Sequence, residues 1–273
     1  MATNTSPDSN TISTPSGLCL DGLTVTIGGP PLFHNLSHQF TGGQWTCLLG
    51  RSGVGKSMLL RAMMGLLDGP VNDHGAQNVS VEGTILTDTG ATLDHNVAYM
   101  AQQDLLMPWL SVRENVLLGS RLRQDHHPDT DRADELLAKT GLLSRSGDLP
   151  AQLSGGMRQR VALARTLFED KPFVLMDEPF SALDAITRLH AQDLAAELLV
   201  GRTVVMVTHD PLEAIRLAHN IHIVSGAPAT LGEAIVPGGT APRAVDNDAV
   251  LRLQGELLNA LGGNAHGIDT GGL

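Results

Sequence analysis

A chain of 273 residues with 42% apolar side chains can bury a sizeable core, as one large domain or two small ones. Its formal charge of −11 argues against a nucleic-acid partner gripped by a broad basic face. No apolar run approaches the roughly eighteen residues needed to span a bilayer, the opening MATNTSPDSNTISTPSG lacks the basic and apolar regions of a signal peptide, and Cys19 and Cys47 have no metal spacing, so a soluble cytoplasmic protein with reduced thiols is expected.

Residues 1–16 are rich in Ser, Thr, Asn and Pro and read as a disordered arm. LCLDGLTVTI (Leu18–Ile27) alternates as a strand, and after a Gly-Gly-Pro-Pro turn LFHNLSHQF is its partner. QWTCLL is a short buried strand, Gly50–Ser57 reads GRSGVGKS, and KSMLLRAMMGLL has apolar residues at helical spacing. Within 68–96, NVSVEGTILTD is a sheet-edge strand. VAYMAQQ (Val97–Gln103) is a short strand ending in two glutamines. DLLMPWLSVRENVLLG is an apolar loop opening a helix at about Ser111, with Ser111 as N-cap and Glu114 three residues on. Residues 111–169 read as almost wholly helical, including RADELLAKTGL and SGGMRQRVALARTLFED.

KPFVLMDEPF (171–180) is a buried strand with two carboxylates at its end. ALDAITRLHAQDLAAELLVG is an amphipathic helix closed by Gly201, RTVVMVTHD a buried strand ending in His209, PLEAIRLAHN a short helix with Pro211 near its first turn, and IHIVSG a last strand. From about Ala227 the chain turns Gly/Pro/Ala-rich, with one weak helix near VLRLQGELLNAL and a frayed GGNAHGIDTGGL; there is no internal repeat. Strands thus alternate with helices, apart from a helical block between Gln102 and Phe173. Continuous apolar runs such as FVLM and TVVMV imply a sheet buried on both faces, and open α/β sheets place ligands at the carboxyl ends of their strands.

The organising stretch is GRSGVGKS, which fits G-x-x-x-x-G-K-[ST]. Triphosphate oxygens need many donors at short range, and the glycines let the backbone N–H groups of Gly50, Arg51, Ser52, Gly53, Val54 and Gly55 curl inward as a nest. Lys56 reaches the β- and γ-phosphates, and the Ser57 hydroxyl is placed for Mg²⁺. At the end of FVLMDE, Asp177 holds the metal and Glu178 can orient and deprotonate a water. His209 ends the next strand, placed to hydrogen-bond the γ-phosphate and hold the water in line with Glu178. Leu153–Gly156, LSGG, opens a helix with Ser154 as N-cap and N–H groups left open. It is either a well-capped helix or an anion site for a nucleotide held by a second copy.

Together these resemble the ATP-binding subunits of ABC transporters over about residues 18–225: Walker A at 50–57, the Q-loop Gln102, the signature LSGGMRQR at 153–160, Walker B FVLMDE at 173–178, the D-loop SALD at 181–184 and the H-loop His209. The resemblance implies an α/β fold, a P-loop NTPase (RecA-like) core with an antiparallel β subdomain and an inserted helical subdomain at about 104–170. The ATPase domain would cover 17–226, followed by a short tail at 227–273. It implies ATP and Mg²⁺ as cofactors, with Ser57, Gln102 and Asp177 at the metal and Lys56, Glu178 and His209 as the catalytic set. Ser154, Gly155, Gly156 and Met157 would meet the ATP of a second copy, and Asp184 would communicate across that dimer. It further implies a membrane permease gripped near the Q-loop, a solute-binding protein reached through it, and a place on the inner face of the cell membrane.

Ile27 stands about where the family has a stacking aromatic, which implies looser base selectivity. Met58 stands where a hydroxyl is common. Met157 in place of the usual signature Gln, LLMPWLSVREN and LSGGMRQRVALARTL look like the subfamily importing nitrate, sulfonates and taurine. MAQQDLLMPW and LMDEPFSALDAITR look similar to ATPases of thiamine-precursor (hydroxymethylpyrimidine) importers. The rival is a soluble ABC-type ATPase acting on nucleic acid or ribosomes. It needs a second ATPase domain or a long coiled coil, and the 97 residues from Ser57 to Ser154 hold only a helical subdomain.

Overall fold

A computed structural model describes residues 15–67 and 79–262. Its organising surface is a sheet of nine strands among the described residues, in the order β4 (Val79–Thr87), β1 (Leu18–Ile27), β2 (Pro31–Phe40), β9 (Ala229–Leu231), β8 (Asn220–Gly226), β3 (Trp45–Leu49), β7 (Thr203–Thr208), β6 (Phe173–Asp177) and β5 (Val97–Met100). The antiparallel part joins β1 (Leu18–Ile27), β2 (Pro31–Phe40) and β4 (Val79–Thr87), with β4 at the edge. The parallel part contains β3 (Trp45–Leu49), β5 (Val97–Met100), β6 (Phe173–Asp177), β7 (Thr203–Thr208) and β8 (Asn220–Gly226).

The strands β3, β6 and β7 are buried at every position, and the two-residue period sorts their side chains onto two cores. Leu48, Leu175, Val205 and Val207 face a cluster with the antiparallel strands and helix α1 (Lys56–Met63). Cys47, Leu49, Val174, Met176, Val204 and Met206 face the other cluster. Their neighbours there come from α2 (Val112–Val116), Leu117, which is the N-cap of α3 (Leu118–Leu122), α4 (Thr130–Lys139), α5 (Gly155–Phe168), α6 (Ala185–Leu198) and α7 (Pro211–Leu217). Burial on both faces accounts for apolar runs without alternation.

The helical block lies between β5 and β6, as expected, but it is not continuous. The chain from 140 to 154 runs as loops and two 3₁₀ turns, Leu143–Arg145 and Pro150–Gln152, and Asp148 O and Ser146 O accept from Val112 N and Arg113 N. The Ser111 capping box is present: Ser111 Oγ accepts from Glu114 N, and Glu114 accepts from Ser111 N. The strand expected over 171–180 stops at Asp177, because Glu178 takes φ +47°, the left-handed region that extended backbone cannot enter.

IHIVSG is not the last strand. After a turn at Gly226, β9 (Ala229–Leu231) pairs antiparallel with β8 and parallel with β2. The boundary drawn after residue 226 therefore falls inside a hairpin. Helix α8 (Asp248–Gly262) follows, longer than expected, because Val250 and Leu257 bury into the core cluster that α7 also lines. Arg243 anchors the connection, donating to Ile215 O, Ala218 O, Pro237 O and Gly239 O. Ser16 O accepts from Thr203 Oγ1 at 2.7 Å, so the end of the segment read as an arm is already tied to β7. The rest of the segment read as an arm, residues 68–78 and the residues after Gly262 lie outside the described residues.

Candidate functional site

Gly50 directly follows β3, and the loop turns through Gly53 (φ +84°) and Gly55 (φ +105°). A Cβ at Gly55 would sit 2.8 Å from the Leu32 side chain. Both the left-handed backbone and the close approach thus require glycine there. Gly55 is also the N-cap of α1 and offers no side chain to it, so the first N–H groups of the helix remain open for an anion.

Lys56 is buried and its Nζ donates to Gly50 O at 2.6 Å and Arg51 O at 2.9 Å. An ammonium has three N–H groups, so one remains for a ligand. Burial lowers the pKa of Lys56, while the charges of Glu178 and Asp177 oppose the shift. Arg51, Ser52 and Gly53 are exposed around the loop.

One residue into α1, Ser57 Oγ donates to Asp177 Oδ1 at 2.9 Å. Asp177 is 1% exposed, and burial raises its pKa above the usual carboxylate value. The next residue leaves the strand: Glu178 N donates to Val207 O at 2.9 Å while its side chain turns away through the left-handed backbone. Glu178 Oε2 accepts from Gln102 Nε2 at 3.1 Å, and Oε1 lies 3.1 Å from His209 Nδ1. Gln102 comes from the loop after β5 and His209 from the end of β7, strands that flank β6. Lys56, Ser57, Gln102, Asp177, Glu178 and His209 are therefore gathered at the carboxyl ends of β3, β5, β6 and β7.

The signature turn stands elsewhere. Ser154 Oγ caps α5 by accepting from Met157 N at 3.2 Å, and Ser154 and Gly155 are exposed. Among the described residues no hydrogen bond joins Ser154–Met157 to the phosphate loop. Instead α5 is tied to the segment after β6: Gln159 Nε2 donates to Pro179 O at 2.8 Å, and a Cβ on Gly156 would meet Ala182 O. It is tied also to the segment after β5, where Arg158 Nε donates to Asp104 Oδ2 at 2.9 Å and Arg165 donates to the carbonyls of Asp104 and Leu105.

Behind His209 stand residues that no sequence motif marks. Arg188 on α6 donates to Leu183 O and to Asp210 Oδ2, and Glu213 is buried against Thr208. The available signal was modest: an arginine on an amphipathic helix and acids just after a strand end. Trp109 is 71% exposed, so it does not pack in the core. Ile27 closes β1, half-buried against the cluster under α1. Among the described residues no helix is long and apolar enough to cross a membrane, and no cluster of three or more His, Cys, Asp or Glu could hold a metal.

The chain matches the family described as "ABC transporter" over residues 33–181. An "Uncharacterized ABC transporter ATP-binding protein" of Haemophilus influenzae is 41% identical over 89% of this chain and 98% of its own length. "Aliphatic sulfonates import ATP-binding protein SsuB 1" of Rhizobium johnstonii is 35% identical over 93% of this chain and 90% of its own length. Its namesake in Rhodococcus jostii is 42% identical over 77% of this chain and 79% of its own length. The solved ATP-binding cassette MJ0796, as a dimer in a post-hydrolysis state bound to ADP and Pi, superposes with a TM-score of 0.68 at 28% identity, covering 82% of this chain and 100% of that one.

Proposed function

The chain belongs to the ABC transporter family of ATP-binding proteins, and from that premise we propose that it is the ATP-hydrolysing subunit of an importer for a small solute of the aliphatic sulfonate type. The observation that carries the reading is the hydrogen-bonded convergence of Ser57 on Asp177, and of Gln102 and His209 on Glu178, beside the buried Lys56. The open N–H groups of the loop and of α1 hold the phosphates, and the free N–H of Lys56 reaches their oxygens.

Ser57 and Asp177 offer hard oxygens at one point, with Gln102 nearby. One carboxylate, a hydroxyl and an amide form a donor set that suits Mg²⁺, which retains waters and takes few protein carboxylates. The fit has an electrostatic side: burial disfavours the charge of the Asp177 carboxylate, and a bound cation would offset that cost. Mg²⁺ held by Ser57, Asp177 and Gln102 would supply neutralisation of charge on the phosphate oxygens. Glu178 accepts the proton of the attacking water. His209 fixes the carboxylate from one side and Gln102 from the other, so that positioning and charge stabilisation do most of the work.

Ser154, Gly155, Gly156 and Met157 serve the ATP of a second copy, since the glycine-bearing turn they form meets no phosphate loop within its own chain. The dimeric state of the similar cassette supports this arrangement. The exposed Trp109 and Leu105 beside the Q-loop are the docking surface for a permease on the inner face of the membrane, through which a solute-binding protein would deliver cargo. The names of the sulfonate-importing relatives support that cargo class over a thiamine precursor.

The test is size-exclusion mass analysis of Glu178→Gln with Mg-free ATP. A monomer that becomes a dimer on ATP, with turnover about 10²–10⁴-fold below wild type once Mg²⁺ is added, is expected from loss of a general base. A variant that binds ATP and stays monomeric refutes the two-copy site. For cargo, disruption of the gene in its host should stop growth on an aliphatic sulfonate as sole sulfur source but not on sulfate; unimpaired growth on the sulfonate refutes that part.

A further inference from the structure

Glu178 is held twice, and the two holds meet behind the site. Its side chain faces His209 Nδ1 at 3.1 Å. Its backbone carbonyl accepts from Ser181 N at 3.3 Å and Ser181 Oγ at 3.1 Å, which fixes the turn leading to Leu183 and α6. Neither hold is stiff by itself: the His209 side chain is 55% exposed, and Ser181 lies in an exposed turn.

Arg188 closes the circuit. Its Nη2 donates to Leu183 O at 3.0 Å, and its Nη1 donates to Asp210 Oδ2 at 3.2 Å. Asp210 directly follows His209 and is itself fixed, with its N donating to Thr208 Oγ1 at 3.0 Å and its Oδ1 accepting from Leu212 N at 2.9 Å. The third edge of the guanidinium, Nε, is buried and points toward Glu213 Oε1 at 3.7 Å. The ring therefore runs from the Glu178 carbonyl through Ser181 and Leu183 to Arg188, on to Asp210 and His209, and back to the Glu178 carboxylate. A planar fork suits this place, because it must serve a carbonyl and a carboxylate in fixed directions at once.

We propose that Arg188 is a positioning residue for ATP hydrolysis, which by joining Leu183 to Asp210 holds His209 against Glu178. Its partners are Leu183, Asp210 and Glu213, so it acts through the turn and the histidine it ties together. The proposal rests on the ATPase reading above. It separates the roles of two neighbouring regions: Lys56 and the phosphate loop govern binding, whereas Arg188 governs the alignment of the carboxylate after binding.

The experiment is steady-state ATP hydrolysis by the full chain as wild type, Arg188→Met and Arg188→Lys, with the number of nucleotide sites titrated in each. Arg188→Met should lower kcat by about ten- to a hundredfold, the range a misplacement near 1 Å produces, while KM for ATP stays within about twofold. Arg188→Lys keeps the charge and loses the fork, so its kcat should fall between the two. A role confined to folding would instead lower the number of active sites and leave turnover per site unchanged. Wild-type turnover per site in either folded variant overturns the proposal, and Arg188→Lys carries the test if Arg188→Met does not fold. Absence of hydrolysis by the wild type would overturn the ATPase reading and the proposal with it, a result distinguishable from wild-type turnover in a variant.

Discussion

Replacement of Glu213 by glutamine should stabilise the protein in mild alkali and leave it unchanged in acid. Glu213 is 4% exposed, its Oε2 accepts from Thr208 Oγ1 at 2.7 Å, and burial pushes its pKa from 4.5 to about 7. Asp210 pushes the same way, while the Thr208 hydrogen bond, Arg188 and His209 pull back; the buried Cys47 thiol also lies within its field. The sign follows from proton counting. Between pH 4.5 and about 7 the folded chain keeps a proton on Glu213 that the unfolded chain has released, so stability falls as pH rises through that window. The loss is complete above about pH 7 and absent below 4.5. The displacement from 4.5 to about 7, at about 1.4 kcal/mol per pH unit, amounts to about 3 kcal/mol. Glutamine keeps an acceptor for Thr208 and cannot ionise. Urea unfolding of wild type and Glu213→Gln at pH 5, 6, 7 and 8 should therefore give equal stability at the acid end and a growing advantage for the variant, reaching about 2–3 kcal/mol at pH 8. Taking the difference removes His38, whose effect runs the other way. Burial first and His222 second push its pKa down to about 4, so it costs stability as pH falls from 6.5. A difference that does not vary with pH, or a variant less stable at pH 8, refutes the reasoning.

Lys56→Ala should weaken ATP binding about ten- to a hundredfold by loss of a charged hydrogen bond, read by fluorescence titration with a labelled nucleotide; unchanged affinity refutes the cradle. If Ile27 stands in place of the stacking aromatic, KM values for ATP and GTP should lie within about tenfold, or ~1.4 kcal/mol, and a larger preference for ATP in parallel steady-state assays sinks that reading. Trp109→Ser removes an exposed side chain, so urea unfolding should move by less than about 0.5 kcal/mol and basal hydrolysis should hold, while growth on a sulfonate falls. Full growth with the variant would mean that Trp109 makes no contact with the permease.

Much of the site was legible because short-range chemistry dictates it. The glycines at 53 and 55 are forced by left-handed backbone, and the apolar runs before Asp177 and His209 by burial on both sheet faces. What could not be read was non-local. β9 is three residues long, and its parallel partner Phe33 lies nearly two hundred residues earlier, so no local pattern marks it. Glu178 leaves its strand at φ +47° although neither its neighbours nor its own type requires a turn there; the hydrogen bond to Val207 and the contacts of its carboxylate hold it. Arg243 stands in a Gly/Pro-rich stretch that reads as a tail. The carbonyls at the end of α7, Ile215 O and Ala218 O, together with those of Pro237 and Gly239, explain why an arginine is buried there.

The charge of the chain makes the architecture of the site easier to understand. A protein carrying a formal −11 repels a polyanionic nucleotide at long range, yet that repulsion is screened beyond about 10 Å at ordinary ionic strength. Binding must then come from donors within hydrogen-bond reach, and the sequence supplies them where helices begin. Both α1 and α5 start on glycine-bearing turns with open N–H groups, each adding about half a positive charge without a cationic side chain. Only Lys56 adds a buried full charge at the first of these turns, and its cost is limited by the two carbonyls it meets and by the nearby acids. One turn alone leaves a bound triphosphate open to water on one side. With the second turn on a separate element facing outward, the proposed two-copy site has the donors that complete the cage arrive from another molecule. Hydrolysis would then depend on assembly through geometry, even though every side chain proposed as catalytic belongs to one copy.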